Sequence, residues 1–135
     1  MLVFLVDDDY EDHEIFKMSL EKVDPTFEIV TAEDGIDALD YLKKNSTYKP
    51  DIIFLDVNMP RMNGKDCIRE LRKDPKFEST PMVLYSTHDG QKEVNEAKSA
   101  GASDFMTKPA SIPEFTKALK DIIIKHGKFS NGDGI

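Results

Sequence analysis

Cysteine is almost missing from this sequence. Cys67 stands alone among 135 residues, so no internal disulfide can form, and a reducing, cytoplasmic setting is expected. Long apolar runs are missing too. The longest, Leu2–Val6 and Ile52–Leu55, fall far short of the roughly 20 residues that a membrane-spanning helix needs, so no membrane partner is expected. The N-terminus has no basic stretch and no small-residue cleavage site, so a secretory leader is not expected. Positive charge is in deficit. The 18 Lys and Arg against 26 Asp and Glu give a net charge of −8, and with no basic patch such a surface repels nucleic-acid phosphates. Glycine and proline, 7 of each, are too few for a disordered or fibrous chain. Repeats and low-complexity segments are absent. His13, His88 and His126 have no metal-ligand spacing and no Cys or His neighbours, so none is read as catalytic.

What is present is a regular alternation. Five short apolar runs, Leu2–Val6, Phe27–Thr31, Ile52–Leu55, Met82–Tyr85 and Ser103–Thr107, alternate with stretches in which apolar residues recur at helical spacing. The helical stripes are Phe16, Leu20, Val23; Ala38, Leu39, Leu42; Cys67, Ile68, Leu71; a weak Val94, Ala97, Gly101; and a strong Phe115, Ala118, Leu119, Ile122, Ile123. Asp34 is placed to cap the second helix, and Ser111 to Glu114 form a capping box before the fifth. Strict alternation of strand and helix predicts an α/β fold, a doubly wound five-stranded parallel sheet with five helices. The first, third and fourth runs are almost wholly apolar, as strands buried on both faces should be. The second and fifth carry polar residues, which suits edges. The predicted strand order is therefore 2-1-3-4-5. One domain over residues 1–126 is expected, followed by a flexible tail at 127–135.

That order fixes where chemistry can occur. Ligands of open α/β sheets bind beyond the carboxyl ends of the strands, at the point where strand order reverses. Here that point lies between strands 1 and 3. Asp7, Asp8 and Asp9 follow strand 1, and Asp56 follows strand 3, so acidic groups converge in one crevice. Clustered carboxylates repel one another unless one protonates or a cation enters. An oxygen-only set favours a hard cation such as Mg²⁺, which keeps several waters and leaves room for a phosphate oxygen. On the same rim, Ser86 and Thr87 end the fourth strand and Lys108 ends the fifth. A hydroxyl, an ammonium and a cation facing a carboxylate form a site for a dianionic phosphoryl group. Carboxylates are established nucleophiles that form aspartyl-phosphates.

Four motifs carry a resemblance: Val6-Asp7-Asp8, Leu55 to Gly64, Tyr85-Ser86-Thr87, and Gly101 to Pro109. In this order and at these strand ends the chain resembles the receiver domains of two-component response regulators, in particular the stand-alone, chemotaxis-regulator type, over about residues 2–125. The resemblance implies Asp56 as phospho-acceptor, Asp8 as a direct Mg²⁺ ligand, Asp7 acting through a metal-bound water, and Asn58 supplying a backbone carbonyl. It implies Ser86 and Lys108 as contacts of the phosphoryl group, with Thr87 beside them where the family commonly has a smaller residue. Phe105 matches the switch aromatic that responds to Ser86. Side chains at Asn58 and His88 would tune the lifetime of the phosphoryl group. The partners implied are a histidine kinase or histidine phosphotransfer protein and a downstream protein target. The output face implied is the fourth helix, fifth strand and fifth helix. The implied protein is a switch and not an enzyme acting on outside substrates.

Plainer roles stand beside these. Asp9 is read as an N-terminal charge for the first helix, Cys67 as buried core, and Lys108 as a resting ion-pair partner of Asp56. Three rival functions are open to test. A non-phosphorylated binding module of the same fold would take no label from acetyl phosphate. A Mg²⁺-dependent phosphohydrolase of the haloacid dehalogenase class wants a second Asp two positions after the nucleophile, where this chain has Asn58. A flavodoxin-like cofactor binder wants a Ser/Thr/Gly-rich phosphate loop after strand 1, where this chain has three Asp.

Overall fold

A computed structural model describes residues 1–87 and 90–126. His88 and the expected tail at 127–135 lie outside the described residues. The strands are β1 (Leu2–Val6), β2 (Glu28–Ala32), β3 (Ile52–Asp56), β4 (Met82–Ser86) and β5 (Asp104–Thr107). The helices are α1 (Tyr10–Val23), α2 (Gly35–Lys44), α3 (Gly64–Leu71), α4 (Gln91–Ala100) and α5 (Ile112–His126), with a short 3-10 turn at Pro75–Phe77. All neighbouring strands run parallel, in the order β2-β1-β3-β4-β5. The predicted fold class and strand order are the observed ones.

The period of two along each strand divides the core. Phe4, Val6, Ile53, Leu55, Met82 and Leu84 face α2, α3 and α4, where Ala38, Leu42, Cys67, Ile68, Leu71 and Ala97 cover them. Val3, Leu5, Ile52, Phe54, Val83 and Tyr85 face α1 and α5, where Phe16, Leu20, Phe115, Leu119 and Ile123 cover them. Every residue of β3 and β4 is buried, as central strands under helices on both faces must be. Phe16 meets Phe54 and Phe115 edge-on, with centroids 5.0 and 5.8 Å apart, and so ties α1 to both the sheet and α5.

The caps act as expected. Asp34 accepts the Asp37 N–H at 2.9 Å, and Ser111 Oγ accepts the Glu114 N–H at 3.3 Å while donating to its carboxylate. Asp9 accepts from Glu11 and Asp12, at 2.8 and 3.3 Å. Some boundaries differ from the sequence reading. β2 begins at Glu28 because the Phe27 N–H turns back to the Asp24 carbonyl at 3.2 Å. Ser103 precedes β5, and its hydroxyl accepts the Met82 N–H at 3.0 Å. Asp56 is the last residue of β3 rather than the first beyond it, and Ser86 ends β4 as expected. Gly101 lies past α4 as its left-handed cap, with φ 106°. The buried positions of α4 are Ala97 and Ala100, and Val94 is half-buried.

Candidate functional site

The same alternation that builds the core also builds the site. Leu5, Phe54, Val83 and Met106 point toward α1 and α5. Two residues further along, the chain reaches Asp7, Asp56, Tyr85 and Lys108, at the carboxyl ends of their strands. Register sets them side by side, since Val6 pairs with Leu55, Asp56 with Tyr85, and Ser86 with Thr107. The Lys108 N–H continues that ladder onto the Ser86 carbonyl at 2.8 Å. Gly64 lets α3 begin directly over the end of β3. A side chain there would meet the Asp56 carbonyl oxygen at 2.3 Å, so only glycine fits without a backbone shift.

The result is a polar crevice of about 450 Å³, lined by Asp8, Asp9, Tyr10, Asp12, Asp56, Asn58, Ser86, Thr87 and Lys108. Asp7 is fully buried, Asp56 is 8% exposed and Ser86 3% exposed. Asp8, Asn58 and Thr87 face solvent at the mouth. One carboxylate oxygen from each of Asp7, Asp8 and Asp56 lies within 4.8 Å of the other two. This donor set fits a small, hard divalent cation that keeps open positions for water and a phosphate oxygen. The Asn58 N–H lies 3.5 Å from Asp56 Oδ1. Phe105 is half-buried, packs on the core beneath α4, and pairs with Leu84 across β4 and β5.

Lys108 is the cation of the crevice. Its Nζ lies 2.7 Å from Asp12, 3.4 Å from Asp7 and 3.5 Å from Asp56, and 4.5 Å above the Tyr85 ring. The resting pair with Asp56 expected from the sequence is therefore shared with two further carboxylates. Burial alone would lower the ammonium pKa, but the carboxylates of Asp12, Asp56 and Asp7 hold it above the ordinary value. Burial, resisted by Lys108 and reinforced by Asp7, pushes the Asp56 carboxyl up to about 6. Burial also raises Asp7, against the hydrogen bonds from Tyr85 and the Asp9 N–H.

In the sequence Asp12 is not singled out, and Tyr85 has only a place in a motif, with no role. Asp12, on the first turn of α1, holds Lys108 at the shortest distance. Tyr85 donates its hydroxyl to Asp7 Oδ2. Asp12 gave no signal, because an acidic residue there is ordinary helix chemistry. Tyr85 did give one: a phenol in a strand buried on both faces needs a partner for its hydroxyl. His13 is buried as well, and its Nε2 donates to the Asp7 carbonyl at 2.5 Å, which fastens α1 to the end of β1. Among the described residues, no helix is long and apolar enough to cross a membrane.

A doubly wound sheet with a carboxylate cluster fit for a cation at its switch point, and a half-buried lysine on the same rim, defines a class of α/β modules. Within that class, the response regulator receiver domain matches residues 3–120, and the chain belongs to this family of two-component signalling modules. It is 31% identical over 123 residues to the chemotaxis protein CheY homolog of Campylobacter jejuni, covering 91% of this chain and 92% of that one. It is 32% identical over 118 residues to protein PilG of Pseudomonas aeruginosa, covering 87% and 84%. Among solved structures it resembles the phosphorylated cyanobacterial phytochrome response regulator RcpA, with a TM-score of 0.82, 26% identity, and 93% and 92% coverage. It also resembles the chemotaxis response regulator CheY4 of Vibrio cholerae, with a TM-score of 0.76, 29% identity, and 90% and 97% coverage.

Proposed function

We propose that the chain is a phosphorylation-controlled switch whose acceptor is Asp56. The observation that carries this reading is a buried carboxyl at the end of β3, with the Lys108 ammonium 3.5 Å away and the Asp7 and Asp8 carboxylates within 4.8 Å. A carboxyl pushed up to about 6 is still mostly anionic at neutral pH, so it can act as a nucleophile. An Asp56 oxygen attacks the phosphorus of a phosphohistidine on a histidine kinase or histidine phosphotransfer protein. An O–P bond forms, the P–N bond breaks, and the imidazole leaves. Asp8 directly, Asp7 through a water, Asp56 itself and the Asn58 carbonyl would hold Mg²⁺. When bound, the ion supplies positive charge to the phosphoryl oxygens. Lys108 neutralises a second oxygen, and the Ser86 hydroxyl hydrogen-bonds a third beside Thr87 at the mouth.

Phosphorylation then adds negative charge where the resting site has a single carboxylate. Ser86 moves toward it, Phe105 repacks, and the population shifts to a state that binds a downstream protein. The phosphorylated form of RcpA, at 26% identity, and the chemotaxis relatives support this reading. A net charge of −8 fits a message passed in the cytoplasm by protein contact rather than by direct nucleic-acid binding.

Incubation with acetyl phosphate tests it. One phosphoryl group should be incorporated per chain when magnesium is present. Chelator, or the substitution Asp56→Asn, should abolish incorporation. A chain that takes no label in magnesium would be the non-phosphorylated binding module instead.

A further inference from the structure

We infer that the Tyr85 hydroxyl is a positioning group for the cation site: its hydrogen bond to Asp7 Oδ2 fixes the one orientation in which the Asp7 carboxylate is presented beside Asp8 and Asp56. The inference rests on the proposed reading of these three carboxylates as a magnesium site.

Tyr85 and Asp7 are both fully buried, so their bond is made away from competing water. Both oxygens of Asp7 are engaged. Oδ1 accepts the Asp9 N–H at 2.9 Å, and Oδ2 accepts the Tyr85 hydroxyl and faces Lys108 Nζ at 3.4 Å. A carboxylate anchored at both ends does not rotate freely, so the lone pairs left for a cation or its water point one way. The tyrosine ring is itself fixed. Phe16 and Phe115 pack edge-on against it at 6.2 and 6.5 Å, and the Lys108 ammonium sits over its face at 4.5 Å. The hydroxyl therefore reaches Asp7 from a rigid central strand, whereas Lys108 reaches it on a flexible stem shared with Asp12 and Asp56. Groups that hydrogen-bond a ligand carboxylate typically set about 10–100-fold in metal affinity.

The substitution Tyr85→Phe removes one oxygen and keeps the ring, its edge contacts and the cation–π contact. Magnesium affinity is read by calorimetry on the full chain, with circular dichroism confirming the fold. Tyr85→Phe should weaken magnesium about tenfold. In an Asp7→Ala background the same substitution should change affinity less than about twofold, because the group it positions is gone. Wild-type binding with an unchanged constant in folded Tyr85→Phe, or equal losses in both backgrounds, overturns the inference alone. Absence of magnesium binding by the wild-type chain overturns the cation site itself, and the inference with it. A measurement on the wild type needs no variant. The Tyr85 hydroxyl proton, followed through its ring-carbon isotope shift, should exchange slowly, and the signal should move when magnesium is added. Fast exchange with no movement overturns the inference.

Discussion

Asp56 is the residue on which burial and charge pull hardest against each other. Its carboxyl is raised from 3.8 to about 6, chiefly by burial, with Lys108 opposing and Asp7 adding to the shift. A carboxyl whose folded pKa exceeds its unfolded value binds its proton more tightly when folded. Its stabilising contribution is then complete below about pH 4 and is lost as pH rises through about 6. Asparagine has no such loss. In metal-free buffer, Asp56→Asn should therefore be more stable than wild type at pH 7.5, by about 1–2 kcal/mol once water at the crevice mouth is allowed for. The difference should shrink toward zero at pH 4. Urea unfolding across this range checks it, and a variant less stable than wild type at pH 7.5 contradicts it. Asp56, its acidic neighbours, Ser86 and Lys108 could be picked out as candidates because each lies at the end of a strand. Asp12 was not, because its partner lies 96 residues away and nothing local marks it. Tyr85 reads as one more core side chain in Met82–Tyr85 until its hydroxyl is given a partner.

Elements were legible where a period is long and clean. The five strands and the strong α5 stripe follow from alternation and spacing alone. Ends were off by a residue where a local hydrogen bond, not hydrophobicity, decides the boundary, a turn bond at Phe27 and a side-chain bond to the neighbouring strand at Ser103. Gly101 shows the same limit. It fits the α4 stripe by spacing, yet it closes the helix in the left-handed region, donating to the carbonyls of Ala97 and Lys98. Its Cβ would also lie 3.1 Å from Arg72 Cγ. That arginine bonds the carbonyls of Gly101, Phe77 and Thr80 at 3.0, 2.8 and 3.0 Å, so it has little room to give. Gly101→Ala should cost about 1–2 kcal/mol, read as a lower urea midpoint with an unchanged slope. An unchanged midpoint would show that the cap relaxes freely.

At the scale of the whole molecule, a parallel sheet converts chain order into a chemical site. The strand order brings the ends of β1, β3, β4 and β5 to one rim, and the period of two then aligns Asp7, Asp56, Tyr85 and Lys108 on one side of it. This much follows from topology, which is why motifs far apart in sequence were readable as one site. Distances within the site were not readable. The sharing of Lys108 among three carboxylates depends on how α1 packs over the sheet through Phe16 and His13. This geometry should make Asp56, and no neighbouring carboxyl, the nucleophile. Borohydride reduction of the acyl phosphate formed with magnesium and a phosphodonor, followed by peptide mass spectrometry, tests it directly. Reduction is expected at Asp56 alone. Reduction at Asp7, Asp8 or Asp12, or at no residue in a chain that has taken label, would contradict it.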